Sequence, residues 1–119
     1  MHGDHGAADF REGVEEALLR DDPIELMDLI TEVALSAEEN DWAQACCAQL
    51  SRHRNAEVRG NAVMGFGHLA RRFGQLDPHR VKRIVERARR DGHEYVREKG
   101  QSAADDLATF LSWRFDPEP

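Results

Sequence analysis

Apolar residues recur at spacings of three and four along most of the chain, which is the pattern of helices with one buried side. Six such runs are separated by turn signals, and the alternation typical of strands is weak. Most of the predicted helix starts carry a capping side chain, with or without a proline in the first turn: Asp9, Asp22 with Pro23, Asp41, Asn55, and Asp77 with Pro78. The sixth helix is predicted to begin at about Glu94. Gly74 is expected to end the fourth helix, and the sixth is expected to reach about Trp113. The pattern therefore predicts an all-α protein.

One face of each predicted helix carries the apolar residues that should form the core. In chain order these are Phe10, Val14, Ala17 and Leu18; Leu26, Ile30, Val33, Ala34 and Ala37; Ala43, Cys46, Cys47 and Leu50; Val58, Ala62, Gly65, Phe66, Leu69, Ala70 and Phe73; Val81, Ile84, Val85 and Ala88; and Val96, Gly100, Ala103, Ala104, Leu107, Ala108 and Leu111. Four glycines fall inside the predicted helices: Gly60, Gly65, Gly67 and Gly100. Each costs about 1 kcal/mol relative to alanine, and close approach of neighbouring helices is the predicted compensation.

The fourth and sixth helices repeat each other at a shift of 38 residues, which brings Val58 onto Val96 and Leu69 onto Leu107. The same shift carries the apolar face of the third helix onto that of the fifth. The second helix repeats the fourth at a shift of 32 residues. A helix–turn–helix unit that recurs at about 40 residues is typical of HEAT repeats. We therefore predict a short HEAT-like α-solenoid of about three helical hairpins.

The length of 119 residues suits one domain, predicted over residues 10–115 between a flexible arm at residues 1–9 and a frayed tail at residues 116–119. No stretch approaches the roughly 18 apolar residues that a membrane helix needs, and the first residues do not resemble a secretory signal. Cys46 and Cys47 are neighbours on a helix, so their side chains diverge too far for an ordinary disulfide. Two buried thiols favour a reducing compartment and predict a cytoplasmic location.

The net charge of −7 is unevenly distributed. Residues 1–41 contain thirteen acidic and two basic residues, whereas residues 42–119 contain ten acidic and fourteen basic ones. Such a split steers a charged partner toward one end of the molecule. Residues 80–90 place six basic side chains opposite an apolar face, as either a phosphate-binding surface or the solvated side of an outer helix. The overall acidity and the few aromatic residues argue against nucleic acid as the main partner.

Catalysis needs a nucleophile, an orienting base and a site for developing charge to come together. The serines lie in no such motif, and Asp105 and Asp106 point about 100° apart on a helix. The glycines lie inside helices and form no phosphate-binding loop. His2 and His5 have metal-ligand spacing but lie on the predicted arm, which supplies no rigid frame. The sequence therefore predicts no enzymatic activity, no metal and no cofactor.

The second helix of each hairpin lines the concave face in HEAT-like arrays. Its polar side combines charged groups with a methionine and a tyrosine, which is typical of protein-binding surfaces. The candidate partner-binding residues there are Asn61, Met64, His68, Arg71, Tyr95, Lys99, Ser102 and Asp106. His68 lies beside the apolar face, where it makes either a partner contact or a structural hydrogen bond. A solvated surface without function is the alternative for the whole stripe.

Several strings of residues carry a resemblance to a known family. They are Asp41-Trp42 through Leu50, His53-Arg54-Asn55-Ala56-Glu57-Val58-Arg59-Gly60-Asn61-Ala62, Gly65-Phe66-Gly67-His68-Leu69-Ala70-Arg71, Tyr95-Val96-Arg97 and Ala103-Ala104-Asp105-Asp106-Leu107. Over about residues 30–113 the chain resembles small bacterial HEAT-like immunity proteins, which are paired with polymorphic or contact-dependent growth inhibition toxins. The resemblance implies neutralisation of a cognate toxin by tight binding. It implies no catalytic residues, and it does not assign the toxin contacts.

An acidic end and a face without catalytic groups suit an inhibitor of a basic toxin such as a nuclease. Glu38, Glu39 and Asp41 are the acidic residues expected to steer that partner. Two other functions agree with the residue pattern, a nucleic-acid-binding HEAT-like module and an adaptor scaffold with no toxin. The oligomeric state and the toxin's chemistry stay open at this point.

Overall fold

A computed structural model describes residues 2–117, with side chains from Asp9 onward. The helices are α1 (His2–Arg20), α2 (Pro23–Ser36), α3 (Asn40–Leu50), α4 (Ala56–Phe73), α5 (Pro78–Ala88) and α6 (Glu94–Leu111). No strand occurs between residues 2 and 117, so the all-α prediction is confirmed. None of the helices described is long and apolar enough to cross a membrane.

Three of the predicted helix starts are confirmed with their caps. The Asp22 carboxylate accepts a hydrogen bond from the backbone N–H of the second residue of α2 at 3.1 Å. The Asn55 side chain accepts two from the first turn of α4, at 2.9 and 3.0 Å, and Asp77 does the same for α5. Gly74 ends α4 with φ at 68°, the left-handed conformation that glycine adopts without strain. Local capping chemistry therefore sets these boundaries.

Two predicted starts and one predicted end are wrong. Helix α1 begins at His2, because the stretch before Asp9 contains no proline and its two glycines, Gly3 and Gly6, do not stop the helix; Asp9 therefore lies inside it. Helix α3 begins at Asn40, before the predicted cap Asp41, and Glu39 takes the capping position without a side-chain cap bond. The side chains near this turn are used elsewhere, since Asn40 donates to the Gln75 carbonyl oxygen at 2.8 Å. Helix α6 ends at Leu111, two residues short of Trp113.

Helices α2, α4 and α6 lie side by side and run in the same direction, with α4 in the middle. Early residues of α2 and α4 meet, as do early residues of α4 and α6, and later residues of each pair meet further along. The most extensive contact is between α4 and α6, followed by α4 with α2 and with α3. Helix α5 packs against α6, and α1 makes the sparsest contacts. The described chain measures 47 × 29 × 18 Å.

The core occupies the space between these helices and agrees closely with the predicted apolar faces. Phe66, Leu69 and Leu107 are fully buried. Ala108 is an exception: it is exposed, because it lies on neither the α4 side nor the α5 side of α6. Val63, which was not predicted as core, is also buried.

Two helical glycines confirm the predicted close approach. A Cβ atom on Gly65 would lie 2.7 Å from the Cys47 sulfur. A Cβ atom on Gly100 would lie 3.0 Å from the backbone nitrogen of Arg89, and a backbone atom there has little freedom to move. These contacts offset the intrinsic cost of glycine in a helix.

The segment after α6 is tied to the helices as far as Asp116. The Arg89 side chain, only 7% exposed, donates to the Asp116 carbonyl oxygen at 2.8 Å and to the Gln101 side chain at 3.1 Å. The remainder of the predicted frayed tail, residues 118–119, lies outside the described residues. The side chains of His2 and His5 lie outside them as well.

Candidate partner-binding face

Eight of the predicted site residues lie on α4 and α6, which lie side by side, and together they form what we call the α4–α6 face. All of them except Arg71 are half-buried. Asn61, Tyr95 and Lys99 are in direct contact at one end. His68 lies further along, near Asp106. The predicted residues of the two helices therefore share one surface, in register with the sequence repeat.

Two glycines of α4 allow α6 to come this close. A Cβ atom on Gly60 would lie 2.6 Å from the edge of the Tyr95 ring. A Cβ atom on Gly67 would lie 2.5 Å from a carboxylate oxygen of Asp106. Both side chains of α6 thus rest directly on the α4 backbone, which brings the two helices close together along the face.

Asn61 links three helices. Its side-chain nitrogen donates to the Met27 carbonyl oxygen of α2 at 3.1 Å, and its side-chain oxygen accepts a hydrogen bond from the Tyr95 hydroxyl at 2.5 Å. Burial, assisted by the charge of Glu57, raises the pKa of Tyr95, so the hydroxyl keeps its proton and its role as donor. Asn61 and Tyr95 therefore hold the face together, which limits how far they can turn toward a partner.

His68 differs from these two residues because its side chain makes no hydrogen bond to any residue that the structure describes. Burial lowers its pKa, the Asp106 charge raises it, and the charges of Arg71 and Lys99 lower it further, with a lower pKa as the net result. The imidazole is therefore neutral at pH 7. Of the two predicted roles for His68, the geometry leaves the ring nitrogens available for a partner.

Two cationic side chains at the border of the face lie over aromatic rings. The Arg71 guanidinium lies 5.5 Å from the centre of the Phe110 ring, and the Lys99 ammonium lies 5.1 Å from the centre of the Tyr95 ring. Such contacts restrict long flexible side chains, each with a stabilisation of about 0.5–1 kcal/mol at exposed sites. The rim of the face is therefore partly ordered before a partner arrives.

The three acidic residues predicted to steer a partner do not belong to this face. Glu38, Glu39 and Asp41 lie in and just after the turn between α2 and α3, and all three are exposed. Glu39 accepts a hydrogen bond from Arg11 at 2.7 Å, which neutralises part of its charge. The structure thus divides the predicted site into one continuous face and a separate acidic turn.

The sequence missed a further surface residue, Arg52. It lies at the end of α3 and faces the basic side of α5 across a groove. No local pattern marks Arg52, because its neighbours in the groove lie about 30 residues further along the chain. Two members of the predicted basic run are engaged elsewhere: Arg89 is buried, and Lys82 packs over the Phe115 ring at 5.7 Å.

The thiols of Cys46 and Cys47 are buried. Burial, with a smaller effect of the Glu15 charge, raises the pKa of Cys46 to about 11, and burial raises the pKa of Cys47 as well. Both thiols are therefore protonated at pH 7 and are poor nucleophiles. The residues that the structure describes contain no cluster of three or more His, Cys, Asp or Glu side chains able to hold a metal ion.

In comparisons with known proteins, no family model, curated protein or solved structure matches the chain.

Proposed function

We propose that the chain is a short HEAT-like array of three hairpins that acts as an immunity protein. In this function it binds a cognate bacterial toxin domain and neutralises it by protein–protein contact, without catalysis. The observation that carries the proposal is the α4–α6 face, a half-buried polar surface held rigid by hydrogen bonds between helices. A preordered surface loses little conformational entropy when it binds, which favours tight binding.

Two equivalent turns support the HEAT-like arrangement. The Arg59 side chain donates to the His53 carbonyl oxygen six residues before it, at 3.1 Å. The Arg97 side chain donates to the Asp91 carbonyl oxygen, also six residues before it, at 2.8 Å. The repeated Val-Arg pairs of α4 and α6 therefore make the same turn contact, as expected of a duplicated structural unit.

The centre of the proposed interface is His68 with Met64, one helical turn before it. Both side chains are half-buried, so a partner can complete their burial at a small further cost in side-chain entropy. Arg71, Lys99 and Asp106 lie around them and supply charge at the rim. This arrangement of a less polar centre and a charged border is typical of protein interfaces.

Growth during co-expression tests the function directly. We predict that a toxin domain is encoded next to this chain's own gene; that domain is expressed with and without the chain, and growth is measured. We expect the chain to restore growth, and His68→Ala with Met64→Ala to reduce the rescue and speed dissociation of the purified complex. A true interface centre should cost about 2 kcal/mol or more in binding. Gln49→Ala, exposed on α3 and outside the face, is the control and should bind normally. Failure of the unmodified chain to restore growth would contradict the proposed function.

The acidic turn provides a separate test of how the partner approaches. Glu38→Lys with Asp41→Lys reverses two exposed charges and leaves the pair between Arg11 and Glu39 intact. Charges at a rim act mainly on association, so we expect slower association at low salt and little change in dissociation. The difference should shrink as salt screens the charges. An unchanged association rate at low salt would contradict steering by this turn.

A further inference from the structure

A groove runs between the end of α3 and α5, with α4 beneath it. It consists of two adjoining cavities of about 600 and 370 Å³. Both cavities are lined by Arg52, Arg83 and Arg87, and Ile84 lies at their common floor. We call this surface the cationic groove. It shares no residue with the α4–α6 face.

Positive charge exceeds negative charge in the cationic groove. The arginines that line it are Arg52, Arg59, Arg80, Arg83, Arg87 and Arg90, against the carboxylates of Asp77, Glu86 and Asp91. Arg59 holds Asp91 with two hydrogen bonds, at 2.9 and 3.1 Å, and Asp77 caps α5. The other five arginine side chains make no ion pair or side-chain hydrogen bond within the described chain.

Arg52 and Arg87 are close enough across the groove to repel each other. Burial lowers the pKa of Arg87, the charge of Arg52 across the groove lowers it further, and the charge of Asp91 opposes both with a smaller effect. An anion between these two guanidinium groups would relieve the repulsion. Since one guanidinium group can donate two parallel hydrogen bonds to two oxygens of a phosphate, phosphate is a suitable anion for this position.

We propose that the cationic groove binds the phosphate backbone of a single strand of nucleic acid, without regard to base sequence. Arg80, Arg83 and Arg87 follow one side of α5 for about 10 Å, and Arg90 lies two residues past the end of that helix. This row of arginines matches a linear chain of regularly spaced negative charges. No Phe, Tyr or Trp lines either cavity, and the imidazole of His79 is the one aromatic ring among the lining residues, so the groove offers mainly phosphate contacts and little platform for base stacking. A concave space between two helices accommodates one strand more readily than a duplex. This site does not depend on the proposed toxin binding.

Fluorescence anisotropy with a labelled oligothymidylate of about 12 nucleotides tests the proposal on the full chain. We expect binding at about 20 mM salt that weakens steeply toward about 200 mM, with a log–log slope near −3 for about four phosphate contacts. Arg83→Glu with Arg87→Glu should weaken binding at least about tenfold, because the reversal replaces two phosphate contacts by repulsion. Arg20→Glu with Arg114→Glu changes the net charge equally, at exposed positions outside the groove, and should change binding by less than about twofold. Circular dichroism checks that both variants remain helical.

Three outcomes would overturn the proposal. One is absence of oligonucleotide binding by the unmodified chain at low salt. Another is an equal loss in both double variants, which would show only the effect of net charge. The third is equally tight binding of a glutamate peptide that carries the same charge, which would assign the groove to acidic protein segments. Toxin binding by the Arg83 and Arg87 variant should be unchanged, so that failure here is distinguishable from failure of the immunity function.

Discussion

Helices α1 and α6 have similar lengths, 19 and 18 residues, but very different surroundings. Helix α6 shares with α4 the most extensive contact in the described chain, and its Leu107 is fully buried. Among the residues that the structure describes, those of helix α1 make the sparsest contacts, and its Leu19 is 87% exposed. Helical stability in a protein comes mainly from packing of the buried side, so equal helix length does not give equal stability. The acidic N-terminal end should therefore open locally more readily than the α4–α6 face.

The turns that precede α2 and α6 show the same contrast. The Asp91 carboxylate is 18% exposed and binds Arg59 together with the His93 backbone N–H. The Asp21 carboxylate is 44% exposed, and it binds His53 at 2.6 Å and Arg54 at 2.5 Å. Asp21 also has a φ of 55°, which is unfavourable for a residue with a Cβ atom. The turn before α6 is thus more deeply buried than the turn before α2.

The largest expected contrast is between buried and exposed leucines. Leu69→Ala and Leu107→Ala should each lower the free energy of unfolding by about 2–5 kcal/mol, because both side chains are fully buried and each truncation leaves a cavity in the core. Leu19→Ala is the matched control on α1 and should cost less than about 0.5 kcal/mol. Urea denaturation measures all three. A cost under about 1 kcal/mol at both buried positions would contradict their place in the core.

Alanine substitutions at two helical glycines should change the free energy of unfolding in opposite directions. Gly100→Ala should lower the free energy of unfolding by about 1–3 kcal/mol, because its Cβ atom meets the backbone of Arg89. Gly13→Ala should raise it by about 0.5–1 kcal/mol, since nothing lies within 4 Å of that Cβ atom and alanine favours a helix. Thermal unfolding followed by circular dichroism compares the two. Stabilisation by Gly100→Ala would show that α5 and α6 are less closely packed than described.

Replacement of the two turn carboxylates should show which turn contributes more to the free energy of unfolding. Asp91→Asn should cost about 1–2 kcal/mol, because a partly buried pair with Arg59 loses its charge. Asp21→Asn should cost less, since solvent screens an exposed pair more strongly. The comparison uses urea denaturation at neutral pH. A larger loss of unfolding free energy at Asp21 would contradict the conclusion that the turn before α6 is the more deeply buried one.

Lowering the pH should give the smallest and most gradual change in the free energy of unfolding. Burial alone would raise the pKa of Asp91, but the hydrogen bonds from Arg59 and His93 outweigh it and the pKa is lowered. Hydrogen bonds from Arg54 and His53 lower the pKa of Asp21. A lowered carboxyl pKa stabilises the fold above the ordinary value of about 3.9, and this stabilisation is lost as pH falls through the folded-state pKa. We expect the free energy of unfolding to fall between about pH 5 and pH 3, and less steeply in Asp91→Asn. An unchanged slope in that variant would contradict the role of Asp91.

The sequence by itself determined the six helices and most of the core. Asp22, Asn55 and Asp77 cap their helices through bonds to residues two or three positions away, so the sequence alone predicts them. Apolar spacing predicts the buried sides for the same reason, because both patterns are local. The repeat at 38 residues also predicted that the stripe residues of α4 and α6 would share one face, as the structure shows.

Only the tertiary structure decided how individual polar side chains are used. Asn61 and Tyr95 were predicted as partner contacts, and the structure adds that they bind each other across 34 residues of sequence. Arg89 belonged to an apparently solvated run, but it is buried and holds Asp116. Arg52 joined the groove because the chain folds α3 against the same side of α4 as α5. A polar side chain has several partners of comparable energy, and the three-dimensional arrangement of the helices selects one of them.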